Sequence, residues 1–217
     1  MALRLEAVTF DATDVPAIAS FWAELLDRTL RAESGGALVP GAGTRVGIRF
    51  VASDSTQVDS RRLHLHLTSS DVEDQQQTVE RALRLGGRHI DVGQDLDAGF
   101  VVLADPEGNE FCVIEPGNRF LAGTGRLGEV TCDGTREVGM FWRDALDWPL
   151  VWDENEETAV QSPLGGTKLS WGGPPITPKC RFRRFLTDLH GSDLRRDRMV
   201  TPGCLTNLSK SAGPVSV

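Results

Sequence analysis

The chain has 217 residues, 40% of them hydrophobic, and a formal net charge of −8. That length and apolar content suffice for a cored fold without disulfides and exclude a globally disordered chain. The acidic balance argues against a general nucleic-acid or anionic-membrane surface, and no apolar run reaches the roughly 18 residues that would span a bilayer. The opening MALRLEAVTF has neither a long apolar core nor a cleavage-site pattern, so no secretory signal is read there. Cys112, Cys132, Cys180 and Cys204 are widely spaced and form no CxxC. Reduced thiols and a cytoplasmic location are the expectation.

In chain order, residues 3–10 read as a strand and 14–27 as a helix. Asp14 can cap the helix, Pro16 is tolerable in its first turn, and Val15, Ile18, Ala19, Trp22, Leu25 and Leu26 form its apolar stripe. Two short Gly-bounded strands follow, then TRVGIRFVAS at 44–53 with Val46, Ile48 and Phe50 alternating. RRLHLHLTSS at 61–70 alternates strictly, with Leu63, Leu65 and Leu67 on one face and His64 and His66 on the other. Residues 71–87 read as a second helix capped by Asp71, with Val72, Val79 and Leu83 as its buried stripe and Gly86–Gly87 as its stop. RHIDVG, GFVVLADP and NEFCVIEP supply three more strands, the last two joined by a DPEGN turn. Residues 1–116 thus predict two βαβββ units in series.

A third unit follows the linker 117–125. RLGEVTCDG at 126–134 is similar to the first strand, and FWRDALD at 141–147 repeats FWAELLD at 21–27. Such an incomplete copy exposes an apolar face unless it docks on the first two units or pairs in a homodimer. A fourth unit fails to start near residue 180. From Lys179 to Arg198 there are seven Lys/Arg against three Asp, with no clear strand alternation and no second DPEGN. Three readings stay open: a diverged half-domain, a reading-frame change near 180, and a purposeful basic tail that binds a partner.

LEAVTFDATD with FWAELLD, then RLHLHL followed by Asp71's helix, then VLADPEGNEFCVIEP, come in an order and spacing that resembles the glyoxalase/bleomycin-resistance/dioxygenase (vicinal oxygen chelate) superfamily, in its glyoxalase-like branch. The resemblance covers 1–116 well and 126–172 moderately. It implies an α+β fold of paired βαβββ modules forming half-barrels around a cleft. One complete domain, 1–116, would be followed by the linker and by an incomplete second copy over 126–217, atypically basic from about 180. It implies a protein acting on or binding a small oxygen-rich metabolite, as a lyase, isomerase or dioxygenase, with drug-sequestering binding as the alternative. Family metal sites draw one ligand from the first strand, one from the fifth and a Glu from the last. Carried over, these positions fall on Ala7, His64 and Cys112, so only His64 is conventional, and a metal-free cleft is the expectation over a divalent ion.

Alternation supplies an independent list. If the helix-facing strand residues are buried, the opposite faces offer Thr9, Arg49, His64, His66, Glu110 and Cys112, which suits a ligand carrying carboxylate, phosphate or phenolate oxygens. His66 and Glu110 are the acid/base candidates. The plainer readings are cross-sheet hydrogen bonds for the histidines, a rim salt bridge for Arg49, a strand-start residue for Glu110 and a small buried hydrophobe for Cys112. No nucleotide-binding loop and no Ser-His-Asp pattern is found.

Overall fold

The structure is a computed structural model, and it describes residues 4–54, 63–95, 98–173 and 187–190. Three times over, the chain runs strand, helix, three strands. The first unit is β1 (Arg4–Ala12), α1 (Val15–Leu25), β2 (Arg31–Glu33), β3 (Gly36–Val39) and β4 (Gly47–Ala52). The second is β5 (Leu63–Leu67), α2 (Val72–Arg84), β6 (Arg88–His89), β7 (Val101–Ala104) and β8 (Glu110–Val113). The third is β9 (Leu127–Cys132), α3 (Arg136–Leu146), β10 (Leu150–Glu154), β11 (Glu157–Val160) and β12 (Lys168–Trp171). A last strand, β13 (Thr187–His190), falls in the segment where the sequence shows no alternation. The rest of the stretch from 174 onward lies outside the described residues, as do the three readings of it.

Within each unit the strand order is the same, first–fourth–third–second, because the helix crosses over to make the first and fourth strands parallel partners. The α+β class and the internal repeat are therefore as the sequence predicts. The two FW helices end alike: Asp27 and Asp147 both adopt a left-handed conformation, with φ of 53° and 54°. Asp and Asn tolerate this better than most non-glycine residues.

How the units combine differs from a simple series. Units two and three fuse into one eight-stranded sheet, β10-β11-β12-β9-β5-β8-β7-β6, through antiparallel pairing of β5 with β9. Unit one forms the other sheet, β13-β1-β4-β3-β2, in which β13 pairs antiparallel with β1. The edge expected to be left bare by the third unit is thus paired with β5. Units one and two meet instead through their helical sides. Trp22, 1% exposed, packs its ring 5.1 Å from that of Phe111 and donates from Nε1 to Asp105 Oδ2 at 2.9 Å. Asp105 also holds the DPEGN turn, accepting from the Asn109 backbone N–H at 2.7 Å and its amide Nδ2 at 2.6 Å. Glu107 in the same turn accepts from the backbone N–H groups of Thr13 and Asp14, at the start of α1. One turn therefore closes a hairpin and anchors the neighbouring unit's helix.

The caps are as expected: Asp14 accepts from Ala17 N–H and Asp71 from Asp74 N–H. Val46, Ile48, Phe50, Leu63, Leu65, Leu67, Phe111 and Val113 all lie in the main core. The stripe of α2 is corrected in part, since Val79 packs against the core as expected. Val72 is 59% exposed and Leu83 37%, whereas Thr78 and Ala82 are buried. Ala82 belongs to the main core, and Arg126 bonds Thr78 Oγ1 at 2.8 Å and Asp74 Oδ1 at 2.9 Å on the same helix.

Two predictions follow from these joints. Trp22→Phe keeps an aromatic ring but leaves the buried Asp105 short of a donor, and is expected to lower unfolding stability by about 1–3 kcal/mol in urea titration; an unchanged midpoint would show the bond to be idle. A chain ended after residue 125 bares the β5 edge, and is expected to self-associate in size-exclusion chromatography with light scattering. A stable monomeric fragment would contradict the role given to the β5–β9 pairing.

Candidate functional site

The face of the eight-stranded sheet turned away from its helices is built by alternation. In β5 the leucines face the helices, so His64 and His66 project to the other side. In-register neighbours then decide what meets them. On one flank His66 pairs with Cys112 of β8; on the other it pairs with Glu129 of β9, and His64 with Thr131. Lys168 of β12 lies level with Glu129. All are buried: His64 5%, His66 2%, Cys112 2%, Glu129 2%, Thr131 6% and Lys168 8% exposed.

His66 Nδ1 stands 2.6 Å from Glu129 Oε2. The two imidazole rings lie 4.8 Å apart, centroid to centroid. Nε2 of His64 and Nε2 of His66 are both buried without a hydrogen-bond partner. Ligand atoms of His64, His66 and Cys112 all lie within 4.8 Å of one another. Buried polar atoms are ordinarily satisfied, so two unpartnered imidazole nitrogens beside a thiol are unusual and point to a group that binds there. Burial pushes His64 well below the ordinary histidine range, and the charge of His66 adds to that. Burial also works against a charged His66, but the Glu129 carboxylate and the neighbouring Cys112 outweigh it and raise its pKa.

The donor set fits a divalent ion. Neutral imidazole and thiolate are established ligands, and a carboxylate on the far nitrogen of a ligating histidine is the usual way its ring is oriented. Among the described residues this is the one such cluster of His, Cys, Asp or Glu. His64, His66 and Cys112 would be the residues that hold the ion.

Lys168 adds a buried cation. Its ammonium donates to the Phe120 carbonyl and lies 4.1 Å over the Phe120 ring. Burial lowers its pKa, while the Glu129 charge acts in the other direction. Phe120 and Leu121 belong to the linker. Leu121 packs with Cys112, Val102 and Ile114 in a small apolar cluster, and Phe120 packs against it. The linker therefore lies over this face of the sheet. A separate cavity of about 530 Å³ opens between the linker and the start of α2, lined among others by Thr68, Ser70, Asp74, Glu115, Asn118 and Arg126; it includes none of the cluster residues.

Of the residues expected to converge, His64, His66 and Cys112 do so. Thr9 and Arg49 belong to the five-stranded sheet, where they are in-register neighbours. Arg49 is engaged there by carboxylates, Nε to Glu33 Oε2 and an Nη to Glu6 Oε2, each at 2.7 Å. This is the salt-bridge reading of that residue. Glu110 is a half-buried residue opening β8 and stands outside the His–His–Cys cluster. Ala7 pairs with Gly47 and with Asp188, not with β5. The strand beside β5 is β9, so the first-strand position that faces His66 is Glu129. Aligning RLEAVTFDA at 4–12 with RLGEVTCDG at 126–134 puts Glu129 opposite Ala7, and the sequence carried that signal. Lys168 had no such signal, because its importance depends on burial.

Comparisons with known proteins agree with this architecture. Residues 7–114 match the family model described as a glyoxalase-like domain. Glyoxalase I from Zea mays is similar in fold, with a TM-score of 0.55 and 17% identity over 78% of this chain and 67% of that one. A point mutant of the maize enzyme gives 0.56 and 16%, over 78% and 68%. A proposed dioxygenase from Bacillus subtilis gives 0.53 and 13%, over 82% and 66%. At such identities the likeness is one of fold alone. No curated protein matches the sequence. With the repeated βαβββ units and the family match over 7–114, the chain belongs to the glyoxalase/bleomycin-resistance/dioxygenase superfamily, in its glyoxalase-like branch.

Proposed function

We propose that the chain binds a small, oxygen-rich, acidic metabolite on the linker-covered face of the eight-stranded sheet, at a centre composed by units two and three, whose sheet curls around it as paired half-barrels. The observation that carries this reading is the pair of buried, unpartnered Nε2 atoms of His64 and His66 beside Cys112. A divalent ion held there by His64, His66 and Cys112 would polarise adjacent ligand oxygens as a Lewis acid. The residues of the chain supply the rest. Glu129 orients the His66 ring through Nδ1. Lys168 offers a buried ammonium that bonds the Phe120 carbonyl and lies over the Phe120 ring, with the Glu129 carboxylate acting on it electrostatically. Burial keeps that charge costly, and an anionic ligand would offset the cost further. The linker residues Phe120 and Leu121 cover this face and shield it from water. The site thus spans the boundary between the proposed domain at 1–116 and the proposed incomplete copy at 126–217.

Glyoxalase-type isomerisation or oxygenation, and sequestration of an acidic ligand without chemistry, both use this cleft. The deciding measurement is metal per chain. Protein purified without chelator from medium containing Zn, Ni, Mn and Fe is expected to carry close to one equivalent by elemental mass spectrometry, and His64→Ala to lose it. Metal in neither protein would remove the ion from the proposal and leave the sequestering reading. Retention of the ion by His64→Ala would displace the site.

The anion preference has its own test. Lys168→Met keeps the length and packing of the side chain but not its charge. It is expected to weaken binding of the carboxylate probes pyruvate, lactate and oxalate, measured calorimetrically, by about 10- to 100-fold, the worth of a charge-assisted hydrogen bond. Binding of glycerol or hydroxyacetone as neutral probes is expected to change little. Equal loss for charged and neutral probes would assign Lys168 to packing alone.

A further inference from the structure

We infer that the centre is built for a thiophilic ion of the zinc class, bound by His64 Nε2, His66 Nε2 and Cys112 Sγ with one position left open, and that it discriminates against hard ions such as magnesium and manganese. This rests on reading the cluster as an ion site and adds which ion its donors select and which side chain selects it. The selection comes from Cys112. Its in-register place beside His66 brings its sulfur into the group in which one ligand atom from each of His64, His66 and Cys112 lies within 4.8 Å of the others. Hard divalent ions are held by oxygen-rich shells, whereas thiolate with imidazole suits zinc. The nearest carboxylate, Glu129, is committed to His66 Nδ1 at 2.6 Å. That commitment leaves the inner donors as two nitrogens and one sulfur. Three protein donors leave a fourth position, the arrangement that catalytic zinc sites keep for water or substrate.

The apolar wall around the thiol supports the same conclusion. Cys112 packs with Val102, Ile114 and Leu121, so a strongly hydrated ion would have to shed its water into an apolar surround. Magnesium dehydrates reluctantly. Glu110 and Asp105 do not offer a rival oxygen shell. Glu110 stands outside the cluster, and Asp105 is consumed by the turn and by Trp22. In this arrangement Glu129 is a positioning residue: it acts on the ion through the His66 ring.

Cobalt(II) is the probe, since it takes zinc's place in such sites and reports bound thiolate by its colour. Titrating cobalt into the metal-stripped full chain is expected to produce an intense near-ultraviolet thiolate-to-cobalt charge-transfer band that saturates at one equivalent. Zinc should abolish the band stoichiometrically, and a large excess of magnesium or manganese should leave it in place. Cys112→Asp is expected to bind cobalt without the band and to lose the preference for zinc over manganese. Glu129→Gln is expected to keep the band while zinc affinity falls by about 10- to 100-fold, a spectroscopic separation that a merely structural role would not give. The wild-type spectrum decides the matter even if a variant fails to fold. Stoichiometric cobalt with no thiolate band, or displacement by manganese as readily as by zinc, would overturn the inference while leaving an ion site in place. Failure of the wild-type chain to bind cobalt, zinc or manganese at all would overturn the ion site itself.

Discussion

Everything distinctive about this molecule depends on the antiparallel ladder between β5 and β9. It joins two units edge to edge and places His66 directly opposite Glu129. Side chains opposite one another in such a ladder have their Cβ atoms roughly 5 Å apart, close enough for the 2.6 Å contact the two make. The side-chain period of a strand is two, so a slip of one residue would send both histidines to the helix-facing core and the three leucines to the opposite face. Burial of Leu63, Leu65 and Leu67 under the helices forbids that slip. The hydrophobic register therefore holds the polar site in place. The irregularity in pairing comes only after His66, before Leu67.

The site runs against the usual economy of a core. An imidazole, a carboxylate and an ammonium are all taken out of water within three adjacent strands. Desolvation of such groups is expensive, and replacing them by apolar residues of similar size is often neutral or stabilising. Pairing offsets part of it for His66 and Glu129. It offsets less for Lys168, which has a carbonyl and a ring, and nothing for the two Nε2 atoms. A core arranged for stability alone would not keep this set. Features that cost stability without evident return inside the fold are expected where ligands bind.

Much of the fold was legible because its signals are local. The FW helices, the Asp14 and Asp71 caps, the DPEGN turn and the LHLHL alternation each lie within a dozen residues, and each sits where its local chemistry says. Which unit pairs with which was not legible. Strand edges carry no address in a single sequence, and neighbours in sequence are the natural first expectation for neighbours in space. Carrying the family's metal positions within 1–116 alone therefore placed Ala7 beside His64, and the metal set looked broken. The repeat itself held the correction, since RLGEVTCDG shows a glutamate where RLEAVTFDA shows an alanine. Lys168 and the linker contact were beyond reach for a different reason. A lysine in a strand is ordinarily solvated, and only tertiary packing reveals that this one is buried.

The two sheets show how one repeated unit can take opposite courses. In the five-stranded sheet the corresponding face carries Ala7, Thr9 and Arg49, and Arg49 is bound by Glu6 and Glu33 in a partly exposed ion-pair network with Arg31. Charges there are matched, side chain to side chain, at the edge of solvent. In the eight-stranded sheet the equivalent strands carry imidazoles, a thiol and a carboxylate, covered by the linker and matched only in part, through His66 and Glu129. Matched surface charges need nothing further and contribute little to stability. A buried set that keeps unpartnered nitrogens is suited to a partner from outside the chain. The unequal treatment of two copies of the same strand pair is the physical reason to locate function in units two and three, and to regard the first unit as their support through Trp22, Asp105 and Glu107.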